Sequence, residues 1–406
     1  MNMPYTKAST NVAPMLTNST RVSSVDAYRG FVMLMMMAEV LHFGRISDAI
    51  PDSKFWSLLS YHWSHVPWVG CSLHDLIQPS FSFLVGVALP YSIASRATQS
   101  QNVSTMWMHT IKRSIILICL GIFLRSMHAE QTNFTFEDTL TQIGLGYPIL
   151  FALGFQKDRI QWTALVLILF FYGALFAFHP LPGMYFDWQQ TGITPDWPHN
   201  LTGFAAHWNK NTNAAWAFDQ WFLNLFPRKT PFVFNGGGYS TLSFIPTTAT
   251  MILGLIAGQW LREKIAPLLI LRKLVITAVV LFSVALAMDR LGINPIVKRI
   301  WTPSWTLWSG GWCFMFLAAF YFIVDIKKKK SYFTWLIIVG MNSIAAYVLS
   351  NTLSGFIEDS LYIHLGSEYD TFLGIQYRTL VSGGLILLTQ FSILKWMYNK
   401  KLFLKI

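Results

Sequence analysis

Residues 274–288 read Leu-Val-Ile-Thr-Ala-Val-Val-Leu-Phe-Ser-Val-Ala-Leu-Ala-Met, with no charged side chain between Lys273 and the pair Asp289-Arg290. A bilayer core about 30 Å thick needs about 20 apolar residues in a helix to cross it. Inside lipid each backbone N–H and C=O must be paired within its own segment, so runs of this kind form helices. Moving outward in both directions, about ten runs of this type alternate with charged or Pro/Gly-rich breaks. They are 27–46, 72–94, 112–126, 139–155, 160–178, 245–261, 273–291, 306–324, 333–350 and 372–397. The third and fourth are short. The expected fold is all-α, a polytopic membrane helix bundle of about ten transmembrane helices.

The composition agrees. The 406 residues are 53% hydrophobic, 16% aromatic and only 12% charged, against about 25% charged in soluble domains. Mean hydropathy is +0.42, and the 17 Trp and 32 Phe suit side chains at headgroup level or against lipid. These numbers exclude a soluble globular enzyme, a disordered protein and a disulfide scaffold. Cys71, Cys119 and Cys313 stand singly in apolar surroundings, without a CxxC pair or a His/Cys cluster.

A net charge of +11 raises the question of nucleic acid, and the placement of the charges answers it. With a cytoplasmic N-terminus and alternating spans, 20 of the 30 Lys and Arg fall in cytoplasmic pieces, Lys327–Lys330 among them. That is the positive-inside pattern. The basic excess is topogenic, no nucleic-acid partner is expected, and both termini are expected in the cytoplasm. Residues 1–26 form a polar cytoplasmic segment without the apolar core of a secretory signal. The expectation is a multi-pass protein of the cell's inner (cytoplasmic) membrane with no cleaved signal peptide. Residues 27–397 make up the bundle and 398–406 a basic tail. Three non-cytoplasmic stretches, 47–71, 179–244 and 351–371, are large enough to build a site, the second being rich in Trp, Asn and Pro.

The densest chemistry lies at 61–79, where His62, His65, His74, Trp63, Trp68 and Asp75 gather at the outer mouth of the second span. Pro67 and Gly70 place His65 on a constrained turn, and Asp75 can orient a neighbouring imidazole. The same residues also read as an interfacial His/Trp belt. A metal held by His62, His65 and His74 lacks a tetrahedral spacing signature, so no metal is expected. Ionisable and polar groups within spans are costly and mark candidate sites. Glu39 late in the first span, Asn342 in the ninth, and Lys298, Arg299 and Trp301 before the eighth belong here, with Arg125 and His128 closing the third. Asp26 reads equally as a helix cap and Arg29 as an interfacial snorkel. Asn342 reads equally as an interhelical hydrogen-bond partner.

Four motifs in order resemble the heparan-α-glucosaminide N-acetyltransferase family. They are Ser24-Val25-Asp26-Ala27-Tyr28-Arg29-Gly30, the run from His65 through Trp68, Gly70 and Asp75 to Pro79, Lys298-Arg299-Ile300-Trp301-Thr302-Pro303-Ser304, and Gly340-Met341-Asn342-Ser343-Ile344. The similarity runs from about residue 22 across essentially the whole chain. It implies a transmembrane acetyltransferase that takes acetyl from cytoplasmic acetyl-CoA, as co-substrate, to an amino-sugar amine on the far side. The family's active-site histidine corresponds to His65; Glu39, close to where mammalian members have a polar Asn, and Asp75 are the further catalytic candidates of this chain. Trp68, Lys298, Trp301, Asn342 and Asn351 are the substrate-binding candidates. Asp26, Arg29 and Arg113, at the basic cytoplasmic mouth, are the candidates for holding acetyl-CoA. Chemically, imidazole titrates near working pH and can serve as general base or as nucleophile.

The chain also departs from the family pattern. Leu140-Thr141-Gln142-Ile143-Gly144 lacks the Arg of the family's L-Q-R segment, and Tyr347-Val348-Leu349-Ser350-Asn351 replaces Y-V-x-H-E. The luminal domain that precedes the spans in mammalian members is not in this sequence, so sugar specificity is not carried over. The expected partners are a small amino sugar or glycan and the lipid bilayer, and a homodimer is the oligomer considered. Two rival readings stand beside the enzyme: a sugar transporter using Glu39, His65 and Asn342, and a non-catalytic membrane partner in an envelope pathway.

Overall fold

The computed structural model describes residues 22–404. The expected polar leader, up to Arg21, and the last two residues of the basic tail lie outside them. Helices α1 (Ser23–Met37), α2 (Phe43–Ala49), α3 (Lys54–His62), α4 (Ile77–Thr98) and α5 (Val103–Ser126) come first. They are followed by α6 (Thr139–Leu153), α7 (Asp158–Ala177), α8 (Ala214–Phe222), α9 (Phe244–Arg262) and α10 (Pro267–Arg290). The last are α11 (Pro303–Phe320), α12 (Thr334–Met341), α13 (Ser343–Thr352), α14 (Ser354–Leu365) and α15 (Arg378–Asn399). Among the described residues there is one isolated antiparallel bridge, Val69 to Val297.

Among the described residues seven helices are long and apolar enough to cross a membrane, and up to nine spans result if each of two bent pairs is counted as one. Thr139–Leu153 is apolar but shorter. The third expected run is longer than its apolar core suggested. Asn102 caps α5 by accepting from Thr105 N–H at 2.8 Å, so the helix starts at Val103 and carries Lys112 and Arg113 inside it. Two expected spans are broken. His42, at φ +45°, separates the first helix from α2 with a 41° bend, and a 68° bend falls at Asn342. The stretches 47–71 and 351–371, read as loops, contain α3 and α14.

Burial separates centre from rim. The α9 segment is 89% buried, whereas α5, α7 and α10 are between 22% and 28% buried and turn apolar faces outward. Glycines allow α9 its central position. A Cβ on Gly86 would lie 1.9 Å from Met251 O, one on Gly254 1.9 Å from Phe83 O, and one on Gly258 2.4 Å from Val87 O. Gly254-x-x-x-Gly258 is thus a small-residue face on which α4 packs backbone to backbone, where dispersion replaces the hydrophobic drive that lipid cannot supply. A second crossing joins α1 to α12 through Gly30 and Gly340, whose Cβ atoms would meet Leu336 O at 1.8 Å and Asp26 O at 2.0 Å. Two residues further on, Asn342 donates to Leu402 O at 2.9 Å and accepts from Leu404 N–H at 3.2 Å. The two described ends of the chain therefore meet at one end of the bundle.

At the opposite end the long segment 178–243 folds over the helix mouths on its own small core. Trp68, Phe176, Trp208, Val297 and Ile300 share that core. Its backbone is held by amides: Asn211 donates to Thr191 O (2.8 Å) and Asn235 O (2.9 Å), and Asn213 caps α8. This explains the Asn-rich composition, since each amide pairs loop carbonyls that burial would otherwise leave unsatisfied.

Candidate functional site

Two loops meet at that covered end. Residues 63–73, between α3 and η-turn His74–Leu76, lie against residues 291–302, between α10 and α11. Gly70 N–H donates to Ile296 O at 3.0 Å, next to the Val69–Val297 bridge. Gly70 has φ +121°, a region that disfavours any Cβ. Across the junction the Lys298–Trp301 turn closes through Trp301 N–H to Lys298 O at 2.8 Å. Trp301 holds φ +50°, unusual for a bulky residue, and is kept there by complete burial and by its indole N–H donating to Thr250 Oγ1 at 3.2 Å. That turn aims Lys298 at the 63–73 loop.

His65, Asp75 and Lys298 meet as a result. His65 Nδ1 lies 2.8 Å from Asp75 Oδ1, and Lys298 Nζ lies 3.3 Å from the same oxygen and 3.0 Å from His65 Nδ1. Asp75 Oδ2 accepts from Ser72 N–H at 3.0 Å and Val66 N–H at 3.4 Å. An ionised carboxylate only accepts, so His65 Nδ1 carries the proton and donates to Asp75. Lys298 donates to the same carboxylate, because a protonated Nδ1 offers it no lone pair. The lone pair left on the ring is on Nε2. The His65 side chain is 35% exposed while those of Asp75 and Lys298 are 0% and 5% exposed, so of the three the imidazole reaches furthest into open space. Burial, followed by the Lys298 charge, lowers the His65 pKa below 6.5 against the opposing pull of Asp75. Burial likewise lowers that of Lys298, with Asp75 opposing.

The open space is a cavity of about 570 Å³, lined by Glu39, His65, His74, Lys298 and Asn351, with Met33 and Phe81 from α1 and α4. Arg125, Glu137, Asp138, Tyr239 and Tyr347 also line it. Tyr239 comes from the covering segment, its ring 6.5 Å from that of His65. Arg299 ties this wall down by donating to Gly237 O at 2.7 Å and Val66 O at 3.2 Å. Among the described residues no group of three His, Cys, Asp or Glu side chains is placed to hold a metal ion.

The chain aligns with two curated proteins. Heparan-alpha-glucosaminide N-acetyltransferase of Mus musculus is 21% identical over 378 residues, covering 84% of this chain and 55% of that protein. The Homo sapiens protein of the same name is 24% identical over 368 residues, covering 81% and 52%. This chain is similar to the heparan-alpha-glucosaminide N-acetyltransferases. The resemblance read from four motifs holds over most of its length. The chain spans about half the length of the curated relatives it matches. No family model matches it.

The site candidates divide accordingly. His65, Glu39, Lys298 and Asn351 share the cavity, with Asp75 directly behind His65. Trp68, Trp301 and Asn342 are placed differently from a substrate contact. Trp68 is wholly buried and donates its indole N–H to Trp208 O at 3.0 Å, Trp301 is clamped against Thr250, and Asn342 holds the C-terminal strand of chain. Trp208, the acceptor of the Trp68 bond, is buried as well. Asp26, Arg29 and Arg113 do not line the cavity. Asp26 sits in the first turn of α1 rather than at its cap, pairs with Arg29 at 3.4 Å, and Arg113 donates to Tyr147 Oη at 2.9 Å. Gln142, where the family pattern has Arg, accepts from Gln78 at 3.1 Å and Thr247 at 2.8 Å. Tyr239, Glu137 and Tyr347 were not singled out in the sequence; isolated polar residues in loops and spans gave no signal that they converge.

Proposed function

We propose that this membrane protein is an acyltransferase that moves acetyl from acetyl-CoA to the amine of an amino sugar, with His65 as general base. The observation that carries the reading is the Asp75–His65 pair, which leaves a neutral imidazole with its free lone pair in a cavity. In the step, the amine nitrogen forms its bond to the thioester carbon while Nε2 takes the amine proton. The C–S bond breaks, and the same proton returns to the departing thiolate. Asp75 fixes the tautomer and offsets the imidazolium charge that develops, the role a buried carboxylate plays behind a catalytic histidine. Glu39 receives the incoming ammonium and takes its first proton, so that the neutral amine attacks.

The donor is taken to enter from the basic face, by Asp26 and Arg29. Met33 lines the cavity and lies four residues beyond Arg29 on α1, about 6 Å along the helix axis. A flexible thioester arm can cover that step, and Met33 and Met36, which line the cavity from α1, belong to the most adaptable residue type. The test is incubation of the purified chain with labelled acetyl-CoA and a panel of amino sugars. Acetylated sugar from the parent protein, lost in a folded His65→Ala variant, is the expected result. Transfer by His65→Ala at the parent rate overturns the assignment. Sugar flux through proteoliposomes without acetyl-CoA consumption replaces the enzyme with a transporter.

A further inference from the structure

Most charged groups around the cavity are already committed. Lys298 serves Asp75. Asp138 caps α6, accepting from Leu140 and Thr141 N–H at 2.9 and 3.1 Å and from the Thr141 hydroxyl at 2.7 Å. Glu137 accepts from Asn235 Nδ2 at 3.1 Å and from the Thr135 hydroxyl. Two charged side chains lining the cavity are left: Glu39 and Arg125. Among the described residues neither makes an ion pair or a side-chain hydrogen bond, and the Arg125 charge acts on the nearby Asp138 carboxylate without pairing with it.

Arg125 lies in the last turn of α5, where a cation often pairs with the terminal carbonyls. It does not do so here, and the nearby Ile122 carbonyl is taken by the Ser126 hydroxyl at 2.6 Å. Its guanidinium is exposed and borders the cavity instead. A planar group with five donors matches a carboxylate or phosphate better than any neutral partner. It sits at the His65 end of the bundle, away from Lys327–Lys330 and Arg96, so the phosphates of a donor arriving from the basic face do not meet it.

We propose that Arg125 recognises an anionic substituent, a phosphate or carboxylate, on the acceptor. Glu39 and Arg125 then receive opposite charges of one molecule, and the substrate class is an amino sugar that also carries negative charge. This inference rests on the acyltransferase reading for the identity of the acceptor, and its test needs no transfer. Calorimetric titration of the full chain with glucosamine 6-phosphate and with glucosamine, in the absence of acyl donor, gives the preference for the anion. The parent protein is expected to favour the phosphorylated sugar about tenfold or more, as for a charge-assisted pair. Arg125→Ala is expected to erase that preference and Arg125→Lys to retain part of it. Should Arg125→Ala not fold, displacement of glucosamine 6-phosphate by inorganic phosphate from the parent protein replaces it, and failure of phosphate to compete overturns the proposal. Equal binding of the two sugars by the parent, a preference that survives Arg125→Ala, or a loss confined to coenzyme A each overturn it as well. A preserved anion preference without acetyl transfer overturns only the enzymatic reading.

Discussion

Lys298 Nζ stands 3.0 Å from His65 Nδ1, although 233 residues separate them in the chain. Two potential cations share one carboxylate, Asp75, and the buried ammonium penalises a second positive charge on the imidazole. Lys298 thereby keeps His65 neutral, and Asp75 keeps it oriented. Both influences are separable by substitution.

Replacing Asp75 by Asn removes the ionised acceptor that holds the Nδ1 proton. Lys298 then donates to Nδ1, the proton moves to Nε2, and the base is lost from the cavity. The expected fall in kcat is about 10²- to 10⁴-fold, with a smaller change in KM for the acceptor. Steady-state kinetics on protein of unchanged thermal midpoint measures it; a kcat within a factor of two of the parent refutes the orienting role.

The pH profile has a defined sign. A general base works when neutral, and the His65 pKa lies below 6.5 through burial and the Lys298 charge. Activity is therefore full near neutrality and declines as pH falls through that lowered value. Lys298→Met keeps the volume but removes the repelling charge, so the upward pull of Asp75 is opposed only by burial and the Arg299 charge. The acid limb of kcat/KM should move to higher pH. A limb that stays or moves down contradicts the arrangement.

Gly254→Ala places a methyl group where Phe83 O lies 1.9 Å away, and neither backbone can yield without separating α4 from α9. The better helix propensity of Ala is overwhelmed. A loss of about 1–3 kcal/mol or more is expected, read as a lower thermal midpoint in detergent. Gly384→Ala, where nothing lies within 4 Å, is the matched control and should not fall.

Asn342→Ala distinguishes a structural amide from a substrate contact. It removes the bonds to Leu402 and Leu404, which costs about 1–3 kcal/mol for the buried groups left unpaired. Thermal stability is expected to drop while acceptor KM changes less than twofold. A selective rise in KM at constant stability reverses that assignment.

The relation between sequence and structure is uneven, and particular residues show why. Gly254 and Gly258 lie within an apolar run of sequence, but nothing in that run points to Gly86 as their partner, because helix pairing is a property of two surfaces. Trp68 and Trp301 sit inside the motifs that carry the resemblance, which makes them substrate-binding candidates. Burial makes them anchors: each buries its indole and pairs its N–H within the protein. His65 and Asp75 were readable together because ten residues of one loop separate them.

The order of apolar runs by itself determined that the chain is a helix bundle, since a backbone in lipid has few other ways to pair its polar groups. The motifs also pointed to His65. Which charges remain available was decided only by tertiary contact. Lys298 and Glu137 are consumed by neighbours brought from elsewhere in the chain, while Arg125 is left facing a cavity. Local periodicity records the solvent a segment prefers, whereas the state of a charge depends on every group that folding brings within a few ångströms of it.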